Sequence, residues 1–131
     1  MTPEQLAKSG SEHAEQMALF QWCALSGQPL LRLLFAINNA VGRSSVIHGA
    51  RNKAEGVKKG VPDLFLPVSV PTRGLTSDCL HGLFIEMKRR TASRLGEEQK
   101  EWIANLRAQG YRVEVCYGWE EARDVLIDYL K

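Results

Sequence analysis

Two carboxylates and a lysine stand in stretches of the sequence that are otherwise apolar. Asp63 follows a proline in GVPDLFLP (60–67), and Glu86 and Lys88 lie two residues apart in IEMKRR (85–90). A charge beside a hydrophobic core must be paired, bound to a metal or used in chemistry, because burying it alone is costly. These three residues are therefore the first candidates for a reactive site.

The spacing predicts where these side chains point. Residues i and i+2 of a strand share a face about 6.5 Å apart, so Glu86 and Lys88 point one way and Met87 points into the core. Asp63 begins the neighbouring strand and approaches Glu86 if the two strands pair. Two carboxylates that close favour a bound cation. Oxygen ligands with open positions indicate Mg²⁺ or Mn²⁺, and the three scattered histidines argue against zinc.

A site of this kind suits the hydrolysis of a phosphate ester. The metal would polarise the phosphate and lower the pKa of a bound water. Lys88 would position that water, take its proton or neutralise the charge that develops on phosphorus. Each part also has a simpler interpretation, since Asp after Pro is often a turn former and Glu-x-Lys is often a solvent-facing ion pair. The joint pattern, with basic flanks, favours the reactive site.

The elements that must position these residues follow from the patterning of the 131-residue chain. Residues 1–10 are expected to form a flexible N-terminus, and residues 11–131 one domain. Helices are predicted from the cap Ser11 to the stop at Gly27, and over 45–55, 97–109 and 119–130; strands are predicted over 33–37, 64–70, 83–88 and 112–117, with a hairpin tip at 71–81. This order predicts a single α/β domain, a mixed β-sheet flanked by helices.

Charge is distributed unevenly, although the net charge is only +2. Segment 43–59 has five basic residues and one acid, segment 88–94 has four basic residues and no acid, and segment 114–131 has five acids and two basic residues. This pattern suits a polyanion on one face, and a mottled solvated surface explains it equally well. Three cysteines without a CxxC argue against a disulfide framework, and the chain shows neither a signal peptide nor a membrane span. A reducing, cytoplasmic location is expected.

Three motifs in order resemble a known family. GVPDL at 60–64, GLFIEMK at 82–88 and E-x-Q-K at 97–100 look like the VRR-NUC domain, the virus-type replication-repair nuclease of the PD-(D/E)XK superfamily, in the stand-alone form of phages and bacteria. The resemblance covers roughly residues 11–130. It implies a restriction-endonuclease-like core.

The resemblance also assigns roles to particular residues. Asp63 and Glu86 match the metal-binding carboxylates, with the main-chain carbonyl of Met87 as a further ligand, and Lys88 matches the catalytic lysine. Gln99 matches a glutamine of the following helix. A glutamate of the first helix is also implied. Glu12 is preferred because it stands four residues before Gln16, with Glu15 as the alternate. The turn with Asn39 and Arg43 resembles a family turn that suits phosphate contact. Further DNA contacts are expected from the basic residues Arg51, Lys53, Lys58, Lys59, Arg89 and Arg90.

The function implied is a divalent-metal-dependent endonuclease that hydrolyses DNA phosphodiesters. Stand-alone members resemble junction resolvases, so Holliday junctions or flapped DNA are candidate substrates, DNA repair a candidate role, and a homodimer is expected. Two alternatives remain open: a non-catalytic DNA-binding module that retains the fold, and a restriction-type endonuclease that reads bases. The cell would be bacterial or a phage-infected host. Four leucines are either dimer contacts or part of a buried central strand: Leu30, Leu31, Leu33 and Leu34.

Overall fold

A mixed sheet forms the centre of the protein. The computed structural model describes residues 1–38, 46–74 and 78–131, with residues 46–49 described by their backbone only. The strands are β1 (Phe35–Ala36), β2 (Leu64–Leu66), β3 (Val70–Pro71), β4 (Cys79–Leu80), β5 (Leu83–Lys88) and β6 (Arg112–Tyr117). The main sheet has the order β1-β2-β5-β6, while β3 and β4 pair in a separate ribbon. The β1–β2 and β2–β5 pairs are antiparallel and the β5–β6 pair is parallel, so the sheet is mixed, as predicted.

Helices flank this sheet, and all of them except α1 follow the predicted order. They are α1 (Pro3–Leu6), α2 (Glu12–Leu25), α3 (Val46–Ala54), α4 (Glu97–Ala108) and α5 (Trp119–Tyr129). Helix α2 begins at the predicted cap, where the Ser11 hydroxyl accepts a hydrogen bond of 3.0 Å from the Ala14 amide. Among the described residues, no helix is long and apolar enough to cross a bilayer.

One face of the sheet carries the core. The inward side chains of β5 are Leu83, Ile85 and Met87, which alternate with outward ones as strand geometry requires. They pack in one cluster with residues of β2, α2 and α5, among them Leu64, Leu66, Ala18, Leu19, Ala122 and Leu126. Helices α2 and α5 therefore cover this face, and Met87 points into the core as predicted.

The opposite face carries Phe84, Glu86 and Lys88, and α4 lies over it. Parallel strands need a crossover connection, and α4 provides it between β5 and β6. Because Gln99 of α4 hydrogen-bonds to both Glu86 and Lys88, the start of the helix lies over the C-terminal end of β5. The charged residues singled out by the sequence thus lie between the sheet and this helix.

The leucine-rich segment corrects one prediction. Instead of a strand over 33–37, Pro29–Leu33 forms a 3₁₀ turn and the strand is only Phe35–Ala36, at the edge of the sheet. Pro29 occupies the first turn, a position where its missing N–H costs no hydrogen bond. Leu31 and Leu34 are buried while Leu30 and Leu33 are exposed, so the interpretation as a fully buried central strand is wrong.

Two other segments also differ from expectation. The strand predicted over 64–70 ends at Leu66, because Pro67 cannot donate to a ladder. The first ten residues contain helix α1, whose cap Thr2 accepts a hydrogen bond from the Gln5 amide, followed by a 3₁₀ turn at Ala7–Ser9. The start of the chain therefore has regular structure, and its flexibility stays a prediction.

Candidate active site

Strand pairing brings Asp63 and Glu86 together. Leu64 pairs with Ile85 in the antiparallel β2–β5 ladder, so Asp63, one residue earlier, faces Glu86, one residue later. The Asp63 carboxylate accepts a hydrogen bond of 2.7 Å from the Met87 amide, and its carbonyl accepts one of 2.7 Å from the Ile37 amide. Backbone groups of two neighbouring strands thus hold Asp63 in place. The predicted convergence of the two carboxylates is present in the structure.

Glu86 is a buried acid in an unfavourable environment. Its side chain is 3% exposed, and its Oε2 atom has no hydrogen-bond partner within the described part of the chain. Burial, together with the negative charges of Asp63 and Glu12, raises the pKa of Glu86 to about 8, although the positive charge of Lys88 opposes the rise. The nearby ammonium group of Lys88 does not offset the cost of burying this carboxylate.

Lys88 and Gln99 complete the cluster. The Lys88 ammonium donates a hydrogen bond of 3.2 Å to Gln99 Oε1 and lies 3.9 Å from Glu86 Oε1. The Gln99 amide group donates a hydrogen bond of 2.6 Å to Glu86 Oε1, and its Oε1 also accepts from the Gly96 amide at 2.8 Å. Gln99 therefore ties the start of α4 to both charged side chains of β5. The sequence placed this amide on an apolar helix face, and these bonds explain why it is there.

Gly60 allows the loop before Asp63 to approach α4. Its φ is +91°, and an added Cβ would lie 2.7 Å from Glu98 Cβ, 2.8 Å from the Glu98 carbonyl carbon and 3.0 Å from the Gln99 amide nitrogen. Only a residue without a side chain fits both the backbone angle and the contact. Through this contact, the loop that presents Asp63 and the helix that presents Gln99 are set against each other.

The structure distinguishes the two glutamates of α2. Glu15 is buried, and it accepts hydrogen bonds from Arg90 Nε and the Trp119 amide, both at 3.0 Å. Glu12 is exposed, lies 3.5 Å from the Ser93 hydroxyl, and contributes to the raised pKa of Glu86. Glu15 is thus engaged in packing α2 against α5. The negative charge of Glu12 acts on Glu86 electrostatically, and the role of Glu12 in catalysis stays a prediction.

The predicted DNA-contacting residues fall into three groups. Asn39 and Arg43 lie outside the described residues. A second group is exposed: Arg51 and Lys53 on α3, Lys58 and Lys59 in the loop before Asp63, and Arg89 just after β5. Arg90 is exposed too, and its guanidinium pairs with Glu15 and Glu120, as the ammonium of Lys59 pairs with Glu98. This ion-pair network was not anticipated from the sequence, and the DNA contact of Arg90 stays a prediction.

The donor set is small but suits a hard divalent ion. Within residues 1–38, 46–74 and 78–131, no three or more His, Cys, Asp or Glu side chains are grouped so as to hold a metal. Mg²⁺ is commonly held by only one or two carboxylates and keeps several waters. The unpaired Oε2 of Glu86 beside Asp63 is an oxygen donor of this kind. The residues present therefore fit Mg²⁺ or Mn²⁺.

Replacing Glu86 with glutamine is expected to stabilise the metal-free protein. The new side chain keeps an oxygen for Gln99 and gains an amide that can donate to Asp63, so no buried atom is left unpaired. Removing one unsatisfied buried polar atom is worth about 1–3 kcal/mol, so the Tm in EDTA should rise by several degrees. Glu101→Gln, on the exposed side of α4, should leave it unchanged. A lower Tm for Glu86→Gln would show that Glu86 is well accommodated.

The fold and the site together define a class. A mixed sheet in which Pro62-Asp63 directly precedes one middle strand and Glu86-Met87-Lys88 ends the other is the restriction-endonuclease-like, PD-(D/E)XK arrangement that the sequence predicts. A family model described as the VRR-NUC domain matches residues 2–120. The chain belongs to the VRR-NUC family, a family of nuclease domains that act on DNA.

A solved structure supports the same assignment. The chain is similar to a "VRR_NUC domain protein", with a TM-score of 0.74 and 27% sequence identity over 92% of this chain and 88% of that one. Among curated proteins, none matches the sequence.

Proposed function

We propose that the protein is a divalent-metal-dependent endonuclease that hydrolyses DNA phosphodiester bonds. The observation that carries this proposal is the meeting of Asp63 and Glu86 across two strands, beside the ammonium group of Lys88. Family membership supports action on DNA. What we propose beyond family membership is that the protein cuts DNA and that cutting requires a metal ion.

Asp63 and Glu86 would hold Mg²⁺ or Mn²⁺, with the main-chain carbonyl of Met87 as the further ligand that the family pattern implies. The bound ion would act as a Lewis acid on the phosphate and lower the pKa of water. The chain's own contribution is to fix the two carboxylates before substrate arrives. The Met87 amide orients Asp63, and Gln99 orients Glu86.

Lys88 would act directly on the reacting phosphate. Its Nζ is held by Gln99 and Glu86 and offers donors in a site shielded from bulk water. A fixed cation there stabilises negative charge as it develops on phosphorus, and the same atom can hold or pass a proton. Gln99 is a positioning residue, because it acts through Glu86 and Lys88.

The substrate would be DNA with a branched or junction structure, bound by the exposed basic residues of 51–59 and by Arg89 and Arg90. Asn39 and Arg43 are retained as proposed phosphate contacts on the family pattern. Two cuts in a four-way junction require two sites, so we propose a homodimer, in which the exposed leucines Leu30 and Leu33 are candidate contacts. A role in DNA repair and a cytoplasmic location in a bacterial or phage-infected cell remain part of this proposal.

A cleavage assay tests the proposal. The purified protein is incubated with duplex, single-stranded, flapped and four-way-junction DNA, each with Mg²⁺, Mn²⁺ or EDTA. We expect cutting with either ion and none in EDTA. Asp63→Asn should reduce cutting by about 10²-fold or more, because it replaces a charged metal ligand with a neutral one. Asp124→Asn, an exposed aspartate of α5 that pairs with its neighbour Arg123, should cut normally.

Full activity in EDTA would refute the metal site. Binding without cutting under every condition would instead indicate a non-catalytic DNA-binding module, and cutting confined to one base sequence would indicate a restriction-type enzyme. The intact set of Asp63, Glu86 and Lys88 favours catalysis over the first of these alternatives.

A further inference from the structure

A row of three phenylalanines crosses the sheet next to the carboxylates. Phe35 of β1, Phe65 of β2 and Phe84 of β5 are directly opposite one another in the two antiparallel ladders. The rings of Phe65 and Phe84 stack with centroids 4.3 Å apart, and Phe35 meets Phe65 edge-on at 5.9 Å. We call these three residues the aromatic row.

The aromatic row shares a face with the candidate active site. Phe84 stands two residues before Glu86, and Phe65 stands two residues after Asp63. Residues two apart on a strand point the same way and are separated by about 6.6 Å. On this face of the sheet, the aromatic row is therefore the cross-strand row next to the Asp63–Glu86 pair. This separation is comparable to the spacing of neighbouring phosphates along an extended single strand of DNA.

One end of the row is open to solvent. Phe35, on the edge strand, is 47% exposed, whereas the main core lies on the opposite face of the sheet. Phe65 and Phe84 are half-buried, and Tyr111 packs edge-on against both. The inner rings thus brace Phe35, which presents a large apolar surface beside the carboxylates.

The charges beside the row indicate what it would contact. Lys58 and Lys59 are exposed just before Asp63, and Lys59 lies 3.8 Å from Glu98, so the positive charge that attracts a polyanion to this loop comes mainly from Lys58. Basic groups that follow a nucleic-acid backbone, together with aromatic rings on which bases stack, are the two components of single-strand binding sites. Bases in an intact duplex are already stacked on each other and are not available to such a ring.

We propose that the aromatic row stacks an unpaired nucleobase adjacent to the scissile phosphate at the Asp63–Glu86 site, with Phe35 as the contacting residue. This inference rests on the proposed nuclease function and narrows its substrate class. It assigns the site to DNA with at least one unpaired nucleotide beside the scissile bond, such as a flap or an opened junction, rather than to blunt duplex.

Equilibrium binding in EDTA tests this inference without any need for cutting. Fluorescence anisotropy is measured with labelled single-stranded and blunt duplex DNA for the wild type, Phe35→Ala, Phe35→Leu and Phe35→Trp. Loss of one stacked base should weaken single-strand binding about five- to hundredfold in Phe35→Ala and leave duplex binding within about twofold. Phe35→Trp should bind as well as the wild type, while Phe35→Leu, apolar but without a π-face, should resemble the alanine variant.

A matched control and a modified DNA make the result specific. Ile127→Ala removes a side chain that is 50% exposed on α5, away from this face, and should not alter binding. The effect of Phe35→Ala should disappear on an oligonucleotide made entirely of abasic sites. Equal weakening for single strand and duplex, or wild-type binding by Phe35→Ala, would overturn the inference. Because the readout is binding, a protein that stacks bases without cutting would refute only the nuclease proposal.

Discussion

Replacing Lys88 with alanine is expected to slow DNA cleavage by about 10²–10³-fold while leaving DNA affinity nearly unchanged. Lys88 is 7% exposed, and its ammonium is fixed by Gln99 and Glu86, so its charge is oriented before substrate arrives. Its loss removes stabilisation from the reacting phosphate. Affinity depends on many phosphate contacts, to which one buried cation contributes little. Single-turnover cleavage and anisotropy titrations with the same DNA measure the two effects separately.

Two further variants make this result specific. Lys88→Arg keeps the positive charge but cannot take up a proton. Partial activity of this variant would indicate that Lys88 stabilises charge on the phosphate. Activity as low as that of Lys88→Ala would indicate that Lys88 transfers a proton. Lys100→Ala, an exposed lysine of α4 that pairs with Glu97, should cut like the wild type. Normal cutting by Lys88→Ala would remove Lys88 from the reaction.

Strand β5, which carries Glu86 and Lys88, and its neighbour β6 were predictable because their signals are local. Residues 83–88 and 112–117 are each preceded by glycine or a turn and contain apolar residues at strand spacing, and both strands have the bounds expected. The antiparallel pairing of β5 with β2 then determines which residues face each other. Asp63 meets Glu86 because the motif residues lie at the ends of adjacent strands.

Other features depend on contacts that no local pattern contains. Glu12 and Glu15 are three residues apart and lie on one side of α2, so spacing does not separate them. What separates the roles of the two glutamates is Arg90, which pairs with Glu15 although it lies 75 residues further along the chain. The aromatic row is invisible in the same way, because its members are scattered along the chain and meet only through strand register. The strand predicted from the leucine-rich segment is wrong for another reason. Its apolar composition suits a strand, but Pro29 begins a 3₁₀ turn instead.

Replacing Gly60 with alanine is expected to destabilise the protein by about 2–5 kcal/mol and to reduce cleavage by the molecules that remain folded. The positive φ of +91° costs an L-residue about 1–2 kcal/mol. The added methyl group would also overlap the backbone of α4 at Glu98, and overpacking of this kind costs about 1–3 kcal/mol. A helix backbone cannot yield as a flexible side chain can, so the start of α4 must shift and carry Gln99 away from Glu86 and Lys88.

Gly56 provides the control for this substitution. Its φ is +93°, nearly that of Gly60, but an added Cβ there meets no atom within 4 Å. Gly56→Ala should therefore show the backbone strain alone, and the difference between the two variants in urea denaturation measures the contact with α4. Cleavage under conditions where both variants are folded should fall only for Gly60→Ala, because only that substitution displaces Gln99. If the two variants lose equal stability and activity, the contact between Gly60 and α4 is not what brings Asp63 and Gln99 to the same site.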